Sequence, residues 1–248
     1  MSTGGGAGAG ARRALVTGGS GGIGAAICRR LGRGGHHVYV HAHRGAAAAA
    51  AVVADIVAAG GSAETICFDV TDGAAARAAL EAALEAGPIQ VLVNNVGIHD
   101  DVVFPSMSEA RWRSVIDVAV HGFYHVTQPL LMPMIRTRWG RIVNISSVSA
   151  IMGNRGQVNY AAAKGALNSA ARALSLEVAS RGITVNAVAP GIIEAGMGGG
   201  FDPAVIAALV PMKRAGTAQE VAGLVAFLAS DDAAYITGQI ISVNGGMA

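Results

Sequence analysis

The chain has 248 residues, 52% hydrophobic and only 14% charged, with a net charge of +2. That length suits one α/β domain with a sizeable core, the composition is the reverse of a disordered chain's, and the charge is too small to argue for a nucleic-acid partner. The two cysteines, Cys28 and Cys67, make no disulfide framework or metal spacing, and no apolar leader or bilayer-spanning run is visible, so the expectation is a cytoplasmic protein without a membrane partner or metal.

In chain order, residues 1–11 read as a disordered Gly/Ala-rich tail and residues 12–248 as one domain. A short apolar run at 14–17 reads as a strand. The glycine loop Gly18-Gly19-Ser20-Gly21-Gly22-Ile23-Gly24 follows, and then a helical pattern over 23–33 that contains Cys28. Strand, glycine loop and helix form the context of a dinucleotide fingerprint: glycines let the backbone approach a pyrophosphate, and the helix N-terminus offers it unpaired N–H groups. Further strands are expected at 37–41, 64–68, 90–93, 141–145, 184–188 and 240–243, and helices at 45–59, 73–86, 108–136, 157–180 and 217–229. Cys67 is expected to be a buried thiol of the third strand. Such alternation predicts a Rossmann-type, doubly wound parallel β-sheet with helices on both faces. Gly18, Asp69, Asn95, Ser147 and Pro190 all follow strands, so they should converge on the carboxyl edge, where ligands bind.

Tyr160 and Lys164 stand four residues apart in one predicted helix and therefore on one face. A nearby ammonium stabilises phenolate and should draw the tyrosine pKa down toward the working range. Ser147 follows the 141–145 strand, so its hydroxyl can face that helix and hold a substrate oxygen. Cofactor choice turns on the second strand's end, His41-Ala42-His43-Arg44, which has no acid for a ribose 2′-hydroxyl. Arg44 suits a 2′-phosphate instead, pointing to NADP(H).

Together these motifs resemble the short-chain dehydrogenase/reductase family from about residue 12 to the C-terminus. Asn94-Asn95-Val96-Gly97 is similar to the family's Asn-Asn-Ala-Gly. The segments 153–160 and 236–246 resemble those of 3-oxoacyl-(acyl carrier protein) reductases. The resemblance implies that Tyr160 is the proton donor, Lys164 the ribose-binding and pKa-lowering residue, and Ser147 the carbonyl-oxygen partner. It implies cofactor contacts at Gly18, Ser20, Gly21, Gly22, Ile23 and Gly24, with Asp69 and Val70 at the adenine and Asn95 and Gly97 at the adenosine ribose. Pro190 and Gly191 would form the nicotinamide-side turn and Ile193 would lie by the carboxamide. Arg138 and Arg181 match positions that serve as a basic patch at the cleft mouth for an acidic carrier protein. The implied substrate is a 3-oxoacyl thioester on acyl carrier protein, with a polyketide or an acyl-CoA as the alternative, and the implied assembly is a homotetramer. Two departures stand out. Ala119 replaces a family asparagine that supports a water chain from the lysine, and Ala195 replaces a threonine near the nicotinamide amide. They keep open a cofactor-binding but inactive subunit of a mixed oligomer. His121 and His125 are candidates to replace the asparagine. The segment Gly196–Gly200 matches the family's mobile lid. His99-Asp100-Asp101 adds negative charge where related reductases carry a basic residue.

Overall fold

A computed structural model describes residues 11–194 and 202–248, so most of the expected tail, Ala195 and the expected lid at 196–200 lie outside the described residues. Seven parallel strands are ordered β3-β2-β1-β4-β5-β6-β7: β1 Arg13–Val16, β2 His37–Ala42, β3 Ser62–Cys67, β4 Ile89–Asn94, β5 Gly140–Ile145, β6 Ile183–Pro190 and β7 Ile240–Val243. The order reverses between β1 and β4, and their carboxyl ends open the crevice in which such sheets bind ligands. The central strands are apolar on both faces because both are covered. On one face α1 (Gly22–Arg33), α2 (Ala46–Ala58) and α9 (Ala218–Leu228) bury Ile27, Leu31, Val52 and Val225 against Val16, Val40 and Val93. On the other, α3 (Gly73–Glu85), α5 (Gly122–Thr137) and α7 (Val158–Val178) bury Leu80, Leu130 and Ala171 against Leu15, Leu92 and Val185.

Three expectations are corrected. The helix read over 108–136 is α4 (Glu109–Ile116) and α5, joined by a π-helical turn at Asp117–His121. Cys67 is exposed, because β3 is an edge strand in which Ile66 alone is buried; Cys28 is buried, and burial pushes its thiol up to about 12. Two short helices, α6 (Ser149–Met152) and α8 (Pro203–Leu209), add to the expected set. Among the described residues no helix is long and apolar enough to cross a membrane, and no cluster of side chains could hold a metal.

Candidate active site

The glycine loop follows β1 and is closed from behind. Gly18 has φ +62° and its carbonyl turns toward Gly24, where any Cβ would overlap it. Asn95 Nδ2 donates to the Thr17 carbonyl at 3.0 Å and the Gly18 carbonyl at 3.2 Å, and Asn95 N–H donates to Thr17 Oγ1 at 2.9 Å. Asn95 therefore staples β4 to the loop. In front the loop is open: a Cβ built on Gly21 would meet nothing within 4 Å, and Gly21 caps α1 without any side-chain bond to the helix N–H groups. An uncapped helix N-terminus, an open backbone and the adjacent Ser20 fit a dinucleotide's phosphates. Asp69 is half-buried and accepts from Thr71 N–H and Oγ1, while Val70 is buried against Gly122. Arg44 is exposed beyond the end of β2, and its charge and that of His43 both help hold the Asp69 carboxyl low, after the bonds from Thr71.

A cleft of about 370 Å³ opens beside the loop, lined by Ile23, Asn95, Ser147, Tyr160, Lys164 and the Pro190–Ile193 turn. The β5–β6 pairing continues past the strands, with Ser146 N–H donating to Val188 and Val148 N–H to Pro190 carbonyls at 2.7 and 2.8 Å, which fixes Ser147 between them. Ser146 turns its hydroxyl to the Lys164 carbonyl, whereas the Ser147 hydroxyl accepts from Ser149 N–H and interacts with Tyr160. Lys164 is fully buried, donates from Nζ to the Ile145 carbonyl at 2.8 Å and lies 5.8 Å from the Tyr160 ring centroid. Gly97 leaves room for it: a Cβ there would come within 2.8 Å of Nζ.

The profile of the short chain dehydrogenase family matches residues 12–204. The chain belongs to this family. It is similar to Nodulation protein G of Rhizobium sp. (strain N33), 44% identical over 243 residues that cover 96% of this chain and 97% of the relative. It is 43% identical over 240 residues to 3-oxoacyl-[acyl-carrier-protein] reductase MabA of Mycobacterium avium, covering 95% and 89%. It is 40% identical over 246 residues to the acetoacetyl-CoA reductase of Allochromatium vinosum, covering 96% and 98%. The protein is an oxidoreductase acting on a ketone/hydroxyl pair with a nicotinamide cofactor.

Within this short-chain dehydrogenase site, the electrostatics reverse one expectation. Burial raises the Tyr160 phenol above its ordinary 10; the Ser147 hydroxyl works against this and the Asp101 charge adds to it. Burial also draws Lys164 down to about 8. The ammonium neighbours the phenol, but burial is the leading cause of both shifts.

Several positioning residues escaped the sequence reading. Asn159 is wholly buried; its Oδ1 accepts from Tyr160 N–H at 2.8 Å and its Nδ2 donates to the Asp100 and Arg111 carbonyls. It anchors the first turn of α7 to the 100–111 segment, and its place just before the tyrosine was the available signal. At the cleft mouth Asp101 accepts from Gln157 Nε2 at 2.8 Å and pairs with His99 at 3.0 Å, and Gln157 Oε1 accepts from Ser149 Oγ at 2.9 Å.

Arg138 and Arg181 are brought together, Arg138 donating to the Ser180 carbonyl. They precede β5 and β6, however, whereas Ser147 and Pro190 stand at those strands' far ends. Six residues of strand span about 20 Å, so the pair does not flank this chain's own cleft mouth. The expected cleft-mouth patch is corrected on that geometry. His121 pairs with Asp117 on the surface and His125 Nδ1 donates to the Val70 carbonyl, so neither histidine stands in for the asparagine absent at Ala119. Ala119 is buried with Val115 and Ala163 against Tyr160.

Proposed function

We propose that the chain reduces a 3-oxoacyl thioester to the 3-hydroxyacyl thioester with NADPH, the acyl group being borne on acyl carrier protein. The observation that carries this reading is the meeting of Ser147, Tyr160 and Lys164 in one cleft beside the open glycine loop. The relative named 3-oxoacyl-[acyl-carrier-protein] reductase supports the substrate, and the one named acetoacetyl-CoA reductase keeps a coenzyme A ester in the test. A cytoplasmic location belongs to the same reading.

The loop Gly18–Gly24 would hold the phosphates, Asp69 and Val70 the adenine side, Asn95 and Gly97 the ribose, and Pro190, Gly191 and Ile193 the nicotinamide side. When bound, the nicotinamide supplies hydride to the carbonyl carbon. Ser147 donates a hydrogen bond to the carbonyl oxygen. Tyr160, which burial keeps protonated through the neutral range, gives that oxygen its proton. Lys164, charged below about pH 8, holds the ribose hydroxyls and stabilises the phenolate left behind. The second strand ends without an acid and with Arg44, which favours a 2′-phosphate. A homotetramer belongs to the same reading.

The test is NADPH oxidation by the purified chain with a panel of 3-oxoacyl thioesters on carrier protein and on coenzyme A. Turnover with the carrier-borne substrates is expected. NADPH binding without turnover of any ketone would overturn the reading in favour of an inactive subunit.

A further inference from the structure

His41 ends β2 almost wholly buried, at 1% exposure, with both ring nitrogens engaged. Gly18 N–H lies 3.0 Å from Nδ1, and the Phe68 carbonyl lies 3.0 Å from Nε2. A backbone N–H can only donate and a carbonyl can only accept, so the ring is held neutral, with its proton on Nε2. The carbonyl of His41 takes the next loop N–H, that of Gly19, at 2.8 Å. The imidazole lies against the Phe68 ring, centroids 4.2 Å apart. One residue thus binds two successive N–H groups of the glycine loop and ties them to the turn after β3. Asn95 holds the other side of the same peptide through the Gly18 carbonyl.

We propose that His41 is a positioning residue for the dinucleotide site, its neutral ring setting the left-handed turn at Gly18 that aims the rest of the loop at the cofactor's phosphates. The proposal rests on the reading of that loop as the phosphate cradle. With the N–H groups of Gly18 and Gly19 spent on His41, the anion is left to Ser20 and the N–H groups from Gly21 onward. Histidine is suited to the place because it accepts from one backbone and donates to another 23 and 27 residues away with a rigid ring between. The charged groups facing it are His43 from its own loop and Asp69 from the turn after β3; His43 opposes and Asp69 favours a proton on the ring. Burial outweighs both and holds the ring down at about 4; the Cys28 thiol of α1, beneath Gly19, is uncharged. The donor–acceptor arrangement therefore survives across the neutral range.

The experiment combines ¹⁵N spectroscopy of the histidine side chains with NADP⁺ titrations and steady-state kinetics on wild type, His41→Gln and His41→Leu. One imidazole should show an unprotonated Nδ1 and a protonated Nε2, unchanged from pH 8 to pH 6, and this signal should vanish in both variants. Glutamine can accept and donate in the same two directions, so His41→Gln should keep the NADP⁺ affinity within about threefold. His41→Leu leaves Gly18 N–H and the Phe68 carbonyl unpaired and should weaken NADP⁺ about tenfold or more, raising KM for NADPH with kcat little changed. If His41→Leu does not fold, the spectrum and the glutamine rescue decide. An Nδ1-protonated or titrating ring, leucine binding as tightly as wild type, or glutamine losing tenfold or more would overturn the proposal. Failure of wild type itself to bind NADP⁺ would instead overturn the cofactor reading.

Discussion

The two edges of the sheet each bury a cation and use it in opposite ways. At the amino edge Arg141 is buried to 2% exposure, and its donors are distributed to the Ser230, Gly140 and Gly182 carbonyls, with Asp231 at 3.7 Å. Its guanidinium lies 4.3 Å from the Trp139 ring centroid, Arg12 lies 3.8 Å from the same ring, and Trp139 Nε1 donates to Asp231. At the carboxyl edge Lys164 is equally buried, but among the described residues its ammonium makes one hydrogen bond, to Ile145. An ammonium carries three donors, so two are left without a partner among the described residues, on a side chain that lines the cleft. A cation whose donors go to backbone carbonyls braces structure, whereas one with a single partner at a cleft is ready for a ligand, and the cost of burying it is relieved when an anionic or hydroxyl-bearing partner arrives.

The largest expected effect breaks the carboxyl edge alone. Tyr160→Phe removes the proton donor and should lower kcat about 10²- to 10⁴-fold while leaving NADPH binding intact, as a fluorescence titration would record. An undiminished rate would mean that another group delivers the proton.

Swapping each cation for methionine tests the contrast directly. Arg141→Met should lower stability by about 1–3 kcal/mol in denaturant unfolding, because backbone carbonyls lose buried donors, with activity per folded molecule retained. Lys164→Met should leave stability unchanged or raised, since a desolvated charge is removed, yet abolish turnover. Equal loss of stability in both variants would erase the distinction between the edges.

Proton linkage sharpens it further. The Lys164 pKa is depressed to about 8 in the free protein, and a bound anionic cofactor favours the charged form. Binding above that value must therefore take up a proton. NADPH affinity should be flat below about pH 8 and fall by up to about tenfold per unit above it, in calorimetric titrations. Affinity that stays level to pH 10 would mean that the ammonium makes no contact with the cofactor. A smaller effect is expected at the loop beyond β2, where Arg44→Ala should weaken NADPH about tenfold and NADH little. Equal losses would remove Arg44 as the phosphate reader.

The smallest effect concerns Ala119. It is buried among Val115, Ala163 and Tyr160, so Ala119→Asn should destabilise the fold by about 1–3 kcal/mol and slow turnover modestly. A faster variant of unchanged melting temperature would show instead that the site still accommodates a side-chain relay.

Much of this was legible in the sequence because hydrophobic runs and punctuation follow element order. The convergence of the glycine loop and of Ser147, Tyr160 and Lys164 on one edge follows from where strands end, whereas the strand order does not. What escaped depends on neighbours distant in the chain. Cys67 was expected inside, but strand position within the sheet, central or edge, is not written in the strand itself. The Tyr160–Lys164 spacing indicated proximity but not desolvation, which sets the direction of both pKa shifts. Arg138 and Arg181 matched a pattern, but that pattern does not say which end of a strand a loop adjoins. His41 could not be assigned, since its partners Gly18 and Phe68 meet it only after two crossovers. The π-helical turn was hidden because hydrophobic spacing blurs when one residue is inserted.

That turn has a consequence for how the chain can change length. Residues Asp117–His121 amount to a helix that has taken in one residue, and the wider turn absorbs it between α4, which packs its Val115 toward Ala163, and α5, which packs on the sheet. Loss of a single codon at exposed His121 would restore ordinary helical bonding with little net rotation of one half against the other, because the wider turn already absorbs the extra residue. Descendants of this sequence can therefore drop a residue within that turn, whereas a loss from α4 or α5 themselves would rotate one half by about 100° and unseat either the sheet or the tyrosine.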